Sequence, residues 1–160
     1  MNKQDIYNYL NNKNIAYEKI EHKAVYTMAE INEIKMPYPE AEAKNIFVRD
    51  DKKKNYYLIT IKGNKKVNLK EFSKINNTRH LSFASSEDLM DILKLTPGSV
   101  TPLGLLNDIN NRVIFYLDEE FLNNIIGIHP NDNTATIVLK TEELINIIEE
   151  NGNQVNITKI

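Results

Sequence analysis

Apolar positions along this chain switch repeatedly between a period of about 3.6 residues and one of about 2, so helices and strands are interleaved. From Lys3 to Asn12, Ile6, Tyr9 and Leu10 share one face at helical spacing and predict an opening helix. Ile15–Ile20 reads as a short strand whose alternation breaks at Ile20. Thr27 and Glu30 have the spacing of a capping box, which predicts a second helix ending near Pro37 and Pro39. Lys44–Arg49 and Tyr56–Lys62 are β-rich runs joined by the polar stretch Asp50–Asn55, the pattern of a hairpin.

Further along, Asn68 is placed to cap a helix running through Ile75, and Leu81–Ala84 reads as a strand. Ser85 with Asp88 opens an amphipathic helix carrying Leu89, Ile92 and Leu93, which Thr96-Pro97-Gly98 breaks. Arg112–Leu117 carries the clearest strand signal. A short acidic helical turn follows it, then a strand at Ile125–His129, a turn at Asn131-Asp132-Asn133 and a strand at Thr134–Leu139. Thr141 starts a last helix with Leu144, Ile145 and Ile148 inward and Gly152 as a left-handed C-cap. Gln154–Thr158 predicts a closing strand. Helices and strands mixed without regular βαβ alternation predict an α+β class. No linker, repeat or low-complexity stretch divides the chain, so residues 1–160 are expected to form a single domain.

Composition narrows the picture. At 160 residues, 41% hydrophobic and 26% charged, the chain has the balance of an ordinary folded domain. No apolar run approaches the ~20 residues of a spanning helix. Met1–Ile20 lacks the apolar core and small-residue cleavage site of a signal peptide, so the expected location is cytoplasmic, with no membrane partner. The absence of cysteine excludes disulfides, thiolate metal sites and cysteine nucleophiles together. His22, His80 and His129 stand far apart with no paired metal-ligand spacing, and neither a metal nor another cofactor is expected.

Net charge is only −2, yet its distribution is uneven. Between Lys44 and Lys74 there are ten cations and three anions, which leaves the rest of the chain strongly acidic. Nucleic-acid binding depends on such local clusters more than on totals. Lys52, Lys53, Lys54, Lys62, Lys65 and Lys66 are therefore candidate RNA contacts; for Lys52–Lys54 the alternative is a solvated hairpin tip.

Three short motifs carry candidate chemistry. In Gly98-Ser99-Val100-Thr101-Pro102 a glycine that permits close approach is followed by a proline that fixes the return of the chain. Such a loop can line a small pocket with backbone groups, or it can be a plain turn. Lys44-Asn45 heads an otherwise apolar run with Ile46, where a cation could meet phosphate or ribose, or simply sit at a solvated strand edge. His129-Pro130 offers a pocket wall, a proton carrier or a structural turn, and the sequence leaves these open. Asn107 and Asp108 are read as a brace for the glycine loop. No Gly-x-Ser-x-Gly elbow surrounds any serine, so Ser-His-Asp catalysis is not expected.

Ala43-Lys44-Asn45-Ile46-Phe47, the lysine-rich hairpin, Leu95–Asp108 with its Gly98-x-x-x-Pro102, and Gly127-x-His129-Pro130 occur in one order over Asp5–Leu144. In this the chain resembles the YbaK/ProX group of aminoacyl-tRNA deacylases, in particular the free-standing prolyl-tRNA editing branch. The resemblance implies a mixed, barrel-like sheet flanked by helices and a trans-editing hydrolase that cleaves the ester of Ala-tRNA(Pro). It implies that Lys44 and Asn45 engage the adenosine and ester. By the same resemblance Gly98, Ser99, Val100, Thr101, Pro102, Ile46 and Gly127 surround the aminoacyl group, and His129 forms the opposite wall. The implied partners are the CCA end of proline tRNA and prolyl-tRNA synthetase. Two alternatives stand beside it: a deacylase for Cys-tRNA(Pro) or another small aminoacyl ester, and a non-catalytic tRNA- or synthetase-binding module.

Overall fold

The computed structural model describes residues 1–24 and 37–160, so the helix expected around Thr27 and Glu30 lies outside the described residues. The elements follow in the order α1 (Lys3–Asn12), β1 (Glu18–Glu21), a 3-10 turn (Pro39–Ala41), β2 (Ala43–Asp50), β3 (Tyr56–Lys62), α2 (Leu69–Asn76), β4 (Leu81–Phe83) and α3 (Ser86–Leu93). A 3-10 helix (Pro102–Asn107), β5 (Val113–Asp118), a 3-10 turn (Glu119–Phe121), β6 (Ile125–Ile128), β7 (Ala135–Lys140), α4 (Thr141–Glu150) and β8 (Val155–Thr158) complete the chain.

Local chemistry sets most of these boundaries. Asn68 accepts from the Glu71 N–H at 3.1 Å and Ser85 from the Asp88 N–H at 3.0 Å, so both expected caps form. Asn2 and Asp5 cap α1 reciprocally, at 2.8 and 2.9 Å. The helix α3 stops at Lys94, which is left-handed with φ 56°, ahead of the Thr96-Pro97-Gly98 break. Asn14, Asn77, Asn111, Asn123 and Asn131 also take positive φ, which gives a physical use to the many asparagines: their short polar side chains tolerate that region. One such turn displaces the first strand. Asn14 is left-handed and the Ile15 N–H returns to Leu10, so the strand begins at Glu18 rather than Ile15.

The α+β class holds, but the sheet is not closed into a barrel. Strands β1, β7 and β6 form a three-stranded antiparallel sheet, while β4, β2, β3, β5 and β8 form a five-stranded one. In the larger sheet β2 pairs antiparallel with β3 and β4, whereas β3–β5 and β5–β8 are parallel. Instead of sharing a ladder, the sheets contribute facing side chains to one core: Phe47, Leu58, Phe115 and Leu117 from one, Ile126, Ile128, Ile137 and Leu139 from the other. Helices α1, α3 and α4 add Ile6, Leu10, Leu93, Leu144, Ile147 and Ile148. Here Tyr7 is buried where Tyr9 was expected, and Ile147 where Ile145 was. The opposite face of the larger sheet buries Val48, Tyr57, Ile59, Ile61 and Tyr116 with Phe72 of α2. Covered on both faces, β3 reads as a continuous apolar run rather than an alternating one.

Candidate active site

The hairpin register puts Ala43 opposite Lys62 and Asn45 opposite Thr60. Because successive side chains in a strand leave opposite faces, Lys44 and Asn45 diverge. Ala43 and Phe47 join the inter-sheet core, and Asn45 shares their face. Its carboxamide oxygen accepts from the buried Thr60 hydroxyl at 2.5 Å, which fixes the amide and leaves its NH₂ without an acceptor among the described residues. Lys44 leaves on the other face with Ile46, which packs beside the α2 cluster, and its ammonium donates to the Lys65 carbonyl at 2.8 Å. The strand β4 pairs with β2 only over Val48–Asp50. Over Ala43–Ile46 the outer edge of β2 therefore carries no strand among the described residues.

The glycine loop and the histidine turn meet directly. Gly98 is exposed at the bend with φ 92°, a conformation that favours glycine. Beyond it, Ser99, Thr101 and Pro102 are buried and Val100 packs against the main core. The wholly buried Thr101 donates its hydroxyl to the carbonyl of His129 at 2.6 Å. The pair expected to brace this loop bonds elsewhere among the described residues: Asn107 donates to the Leu93 carbonyl at 2.8 Å. Asp108 accepts from the N–H groups of Arg112 (3.0 Å) and Val113 (2.9 Å) and from Asn153 (2.9 Å).

His129 Nδ1 lies 2.8 Å from the Ala135 carbonyl and must donate to it, so Nε2 carries the lone pair of the neutral ring. Burial holds this imidazole below the ordinary histidine pKa, outweighing the upward pull of the Ala135 carbonyl; His22 adds to the lowering and Asp132 opposes it. The His22 ring stands edge-on, 6.1 Å away between centroids. Gly127 of β6, two residues before His129, lies against the Pro39–Ala41 turn, where a Cβ would make ordinary contact with the Ala41 carbonyl oxygen and with Thr136, each at 3.4 Å.

The site can be set beside known proteins. The aminoacyl-tRNA editing domain profile matches residues 22–147. A prolyl-tRNA editing protein, ProX, of Acetoanaerobium sticklandii is 40% identical over 153 residues, covering 94% of this chain and 93% of its own. The chain belongs to the aminoacyl-tRNA editing family. A mouse prolyl-tRNA synthetase associated domain-containing protein 1 is 33% identical over 147 residues, covering 86% and 84%. The fold agrees with a crystal structure of a candidate trans-editing enzyme for prolyl tRNA synthetase, at a TM-score of 0.69 and 19% identity over 99% of this chain and 96% of that one. This editing domain is thus an aminoacyl-tRNA deacylase, and no helix among its described residues is long and apolar enough to cross a membrane.

The lysines of the editing domain do not form one patch. Lys52, Lys53 and Lys54 are exposed at the hairpin tip, beyond the end of β2, which runs about 20 Å from Lys44 to Asp50 at ~3.4 Å per residue. Beside the tip, Arg79 grips Asp51 through two bonds of 2.6 and 3.0 Å. A groove of about 560 Å³ follows, lined by Lys70, Ser73, Lys74, Asn77, Thr78 and His80. At the other end, Lys62 donates to the Glu40 carbonyl and lies 4.7 Å over the Phe121 ring, while Lys65 is paired with Asp118 and Glu120. Lys66 is exposed. Thr60, Asp118 and Glu120 were not singled out by sequence; only Thr60 left a signal, through its place in the expected hairpin.

Proposed function

We propose that this chain removes alanine mischarged onto proline tRNA. Water oxygen bonds to the ester carbonyl carbon; collapse of the oxyanion breaks the bond to the ribose oxygen, which takes the proton the water gives up. Free alanine and intact tRNA result. An aminoacyl ester is already activated, so placing the water and stabilising the oxyanion suffices. The NH₂ of Asn45, which has no acceptor among the described residues, is a donor suited to the ester or its water, and the two remaining Lys44 N–H groups suit phosphate or ribose of the terminal adenosine. The residues Ser99, Val100, Thr101 and Pro102 hold the aminoacyl group against His129 and the open edge of β2.

The observation that carries this reading is the Thr101–His129 bond, which joins two distant segments into one wall. A wall clamped by such a bond keeps its volume, and fixed volume is what a size sieve needs: a methyl side chain fits where a pyrrolidine ring clashes. Prolyl-tRNA synthetase needs such a sieve, because a pocket built for proline rejects a smaller side chain by only ~1–3 kcal/mol per missing methylene. The names of the relatives point to the same tRNA and the same synthetase as partners. The cations at the hairpin tip and along the α2 groove are suited to phosphates of its acceptor arm.

Hydrolysis of Ala-, Ser-, Cys- and Pro-tRNA(Pro) measured side by side tests the sieve. Alanine should be released fastest and proline spared; equal rates on alanine and proline would refute it, and a preference for cysteine would change the substrate. Lys44→Ala should lose most turnover while remaining folded.

A further inference from the structure

We infer that Lys65 is a positioning residue for Lys44 and not an RNA contact, an inference that rests on the reading of Lys44 just given. The Lys44 ammonium donates to the Lys65 carbonyl at 2.8 Å, so its place is set by where the turn after β3 lies. Backbone bonds fix that turn first: Gly63 N–H donates to Glu42 at 2.8 Å and Lys65 N–H to Lys62 at 3.1 Å. Packing between Gly63 and Glu42 is so close that a Cβ on the glycine would come within 2.9 Å of Glu42 Cβ.

The Lys65 side chain supplies the third anchor. Its ammonium meets Asp118 at 3.0 Å, Glu120, and a main-chain oxygen of Ile160 at 3.1 Å. An ammonium has three donors, and these three acceptors use them all, leaving none for a phosphate. Asp118 is wholly buried and is itself held, accepting from the N–H groups of Lys62 at 3.2 Å and Glu120 at 3.1 Å. Partial burial disfavours the Lys65 charge, yet the bonds to Glu120 and Asp118 outweigh it and raise its pKa. A path of bonds therefore runs from buried Asp118 through Lys65 to the Lys44 ammonium, and the Lys65 ion pairs tether the residue whose carbonyl stands at its end.

Steady-state deacylation of mischarged proline tRNA by Lys65→Met, Lys65→Arg and Glu120→Gln, each at several salt concentrations, tests this. Lys65→Met should lower kcat roughly ten- to a hundred-fold, the cost of an ångström-scale misplacement, with KM and its salt dependence unchanged. Lys65→Arg should restore most of the loss. In a Lys44→Ala background the methionine variant should cost nothing further. A wild-type kcat for Lys65→Met overturns the inference, as does a raised KM whose log–log salt slope falls by roughly 0.7–0.9, the signature of a phosphate that the protein no longer neutralises. Should Lys65→Met not fold, Glu120→Gln decides by the same split between kcat and KM, since Glu120 is half-exposed. Full turnover by Lys44→Ala would remove the reading of Lys44 and this inference with it. An inactive Lys44→Ala beside an unaffected Lys65→Met would remove this inference alone.

Discussion

Replacing Thr101 by valine keeps the shape of the side chain and deletes the one hydroxyl that joins the glycine loop to the histidine turn. Thr101 is 0% exposed and its bond to His129 measures 2.6 Å, so the deletion leaves a part-buried carbonyl without that partner. Such a group costs about 1–3 kcal/mol, and the methyl that takes the hydroxyl's place returns less than about 1 kcal/mol. The bond that Thr101 accepts from the Leu103 N–H is long, at 3.4 Å, and adds little. A net loss of about 1–2 kcal/mol is expected, read as a lower denaturation midpoint at constant slope, or as roughly 2–4 °C of Tm per kcal/mol for a chain of this size. Thr101→Ser separates stability from function. It keeps the hydroxyl but loses a buried methyl, so its stability should fall by a similar amount. If the bond holds the wall, the valine variant should lose roughly ten- to a hundred-fold in kcat/KM for Ala-tRNA(Pro) and the serine variant little. Equal kinetics for both variants and the wild type would show that the wall does not depend on this bond.

Two further predictions concern charge. Because the folded-state pKa of His129 is depressed, the native state binds fewer protons than the unfolded one near the ordinary histidine value, so stability rises with pH there; it should be lost as pH falls below about 6.5, and His129→Asn should flatten that slope in denaturation curves measured from pH 7.5 to 5. Lys52, Lys53 and Lys54 are exposed, so replacing all three with alanine should leave the denaturation midpoint unchanged. It should raise KM for tRNA and lower its log–log salt slope by roughly 0.7–0.9 for each phosphate left unneutralised; an unchanged slope in a salt titration would return these lysines to the role of a solvated tip.

Features that depend on neighbours in the chain were legible beforehand. The caps at Asn68 and Ser85 need only a side chain and an amide three residues on, and Gly152, with φ 98°, meets the turn predicted for it. The hairpin around Asp50–Asn55 was legible in the same way, but its register, which brings Asn45 to Thr60, was not. Contacts across ten residues or more were not legible. Tyr7 is drawn inward because Tyr17, from the far side of the Asn14 turn, stacks on it at 6.1 Å, and helical spacing alone does not distinguish it from Tyr9. Lys65 and Lys66 look alike in the sequence, but only one stands near Asp118, which lies on another strand. Counting lysines registers charge density; which way each ammonium points, and whether a carboxylate already holds it, is decided by the parallel β3–β5 pairing.

The divergence of Lys44 and Asn45 limits where an ester can lie. A substrate at the middle of a strand could meet one of these side chains but not both, since the backbone would stand between them. At the first residues of β2, where β4 has not yet begun to pair, the outer edge is open and a ligand can wrap it, meeting the Asn45 amide on the inter-sheet side and the Lys44 ammonium on the other. On the proposed reading this is why the pair stands at the head of the strand. On the same reading the inter-sheet side, which Asn45 faces with Ala43 and Phe47, receives the aminoacyl group, and the side facing the Lys65 turn receives the charged nucleotide. The two halves of the substrate would thus be sorted by the pleat of one strand, which sets the reacting ester at its edge.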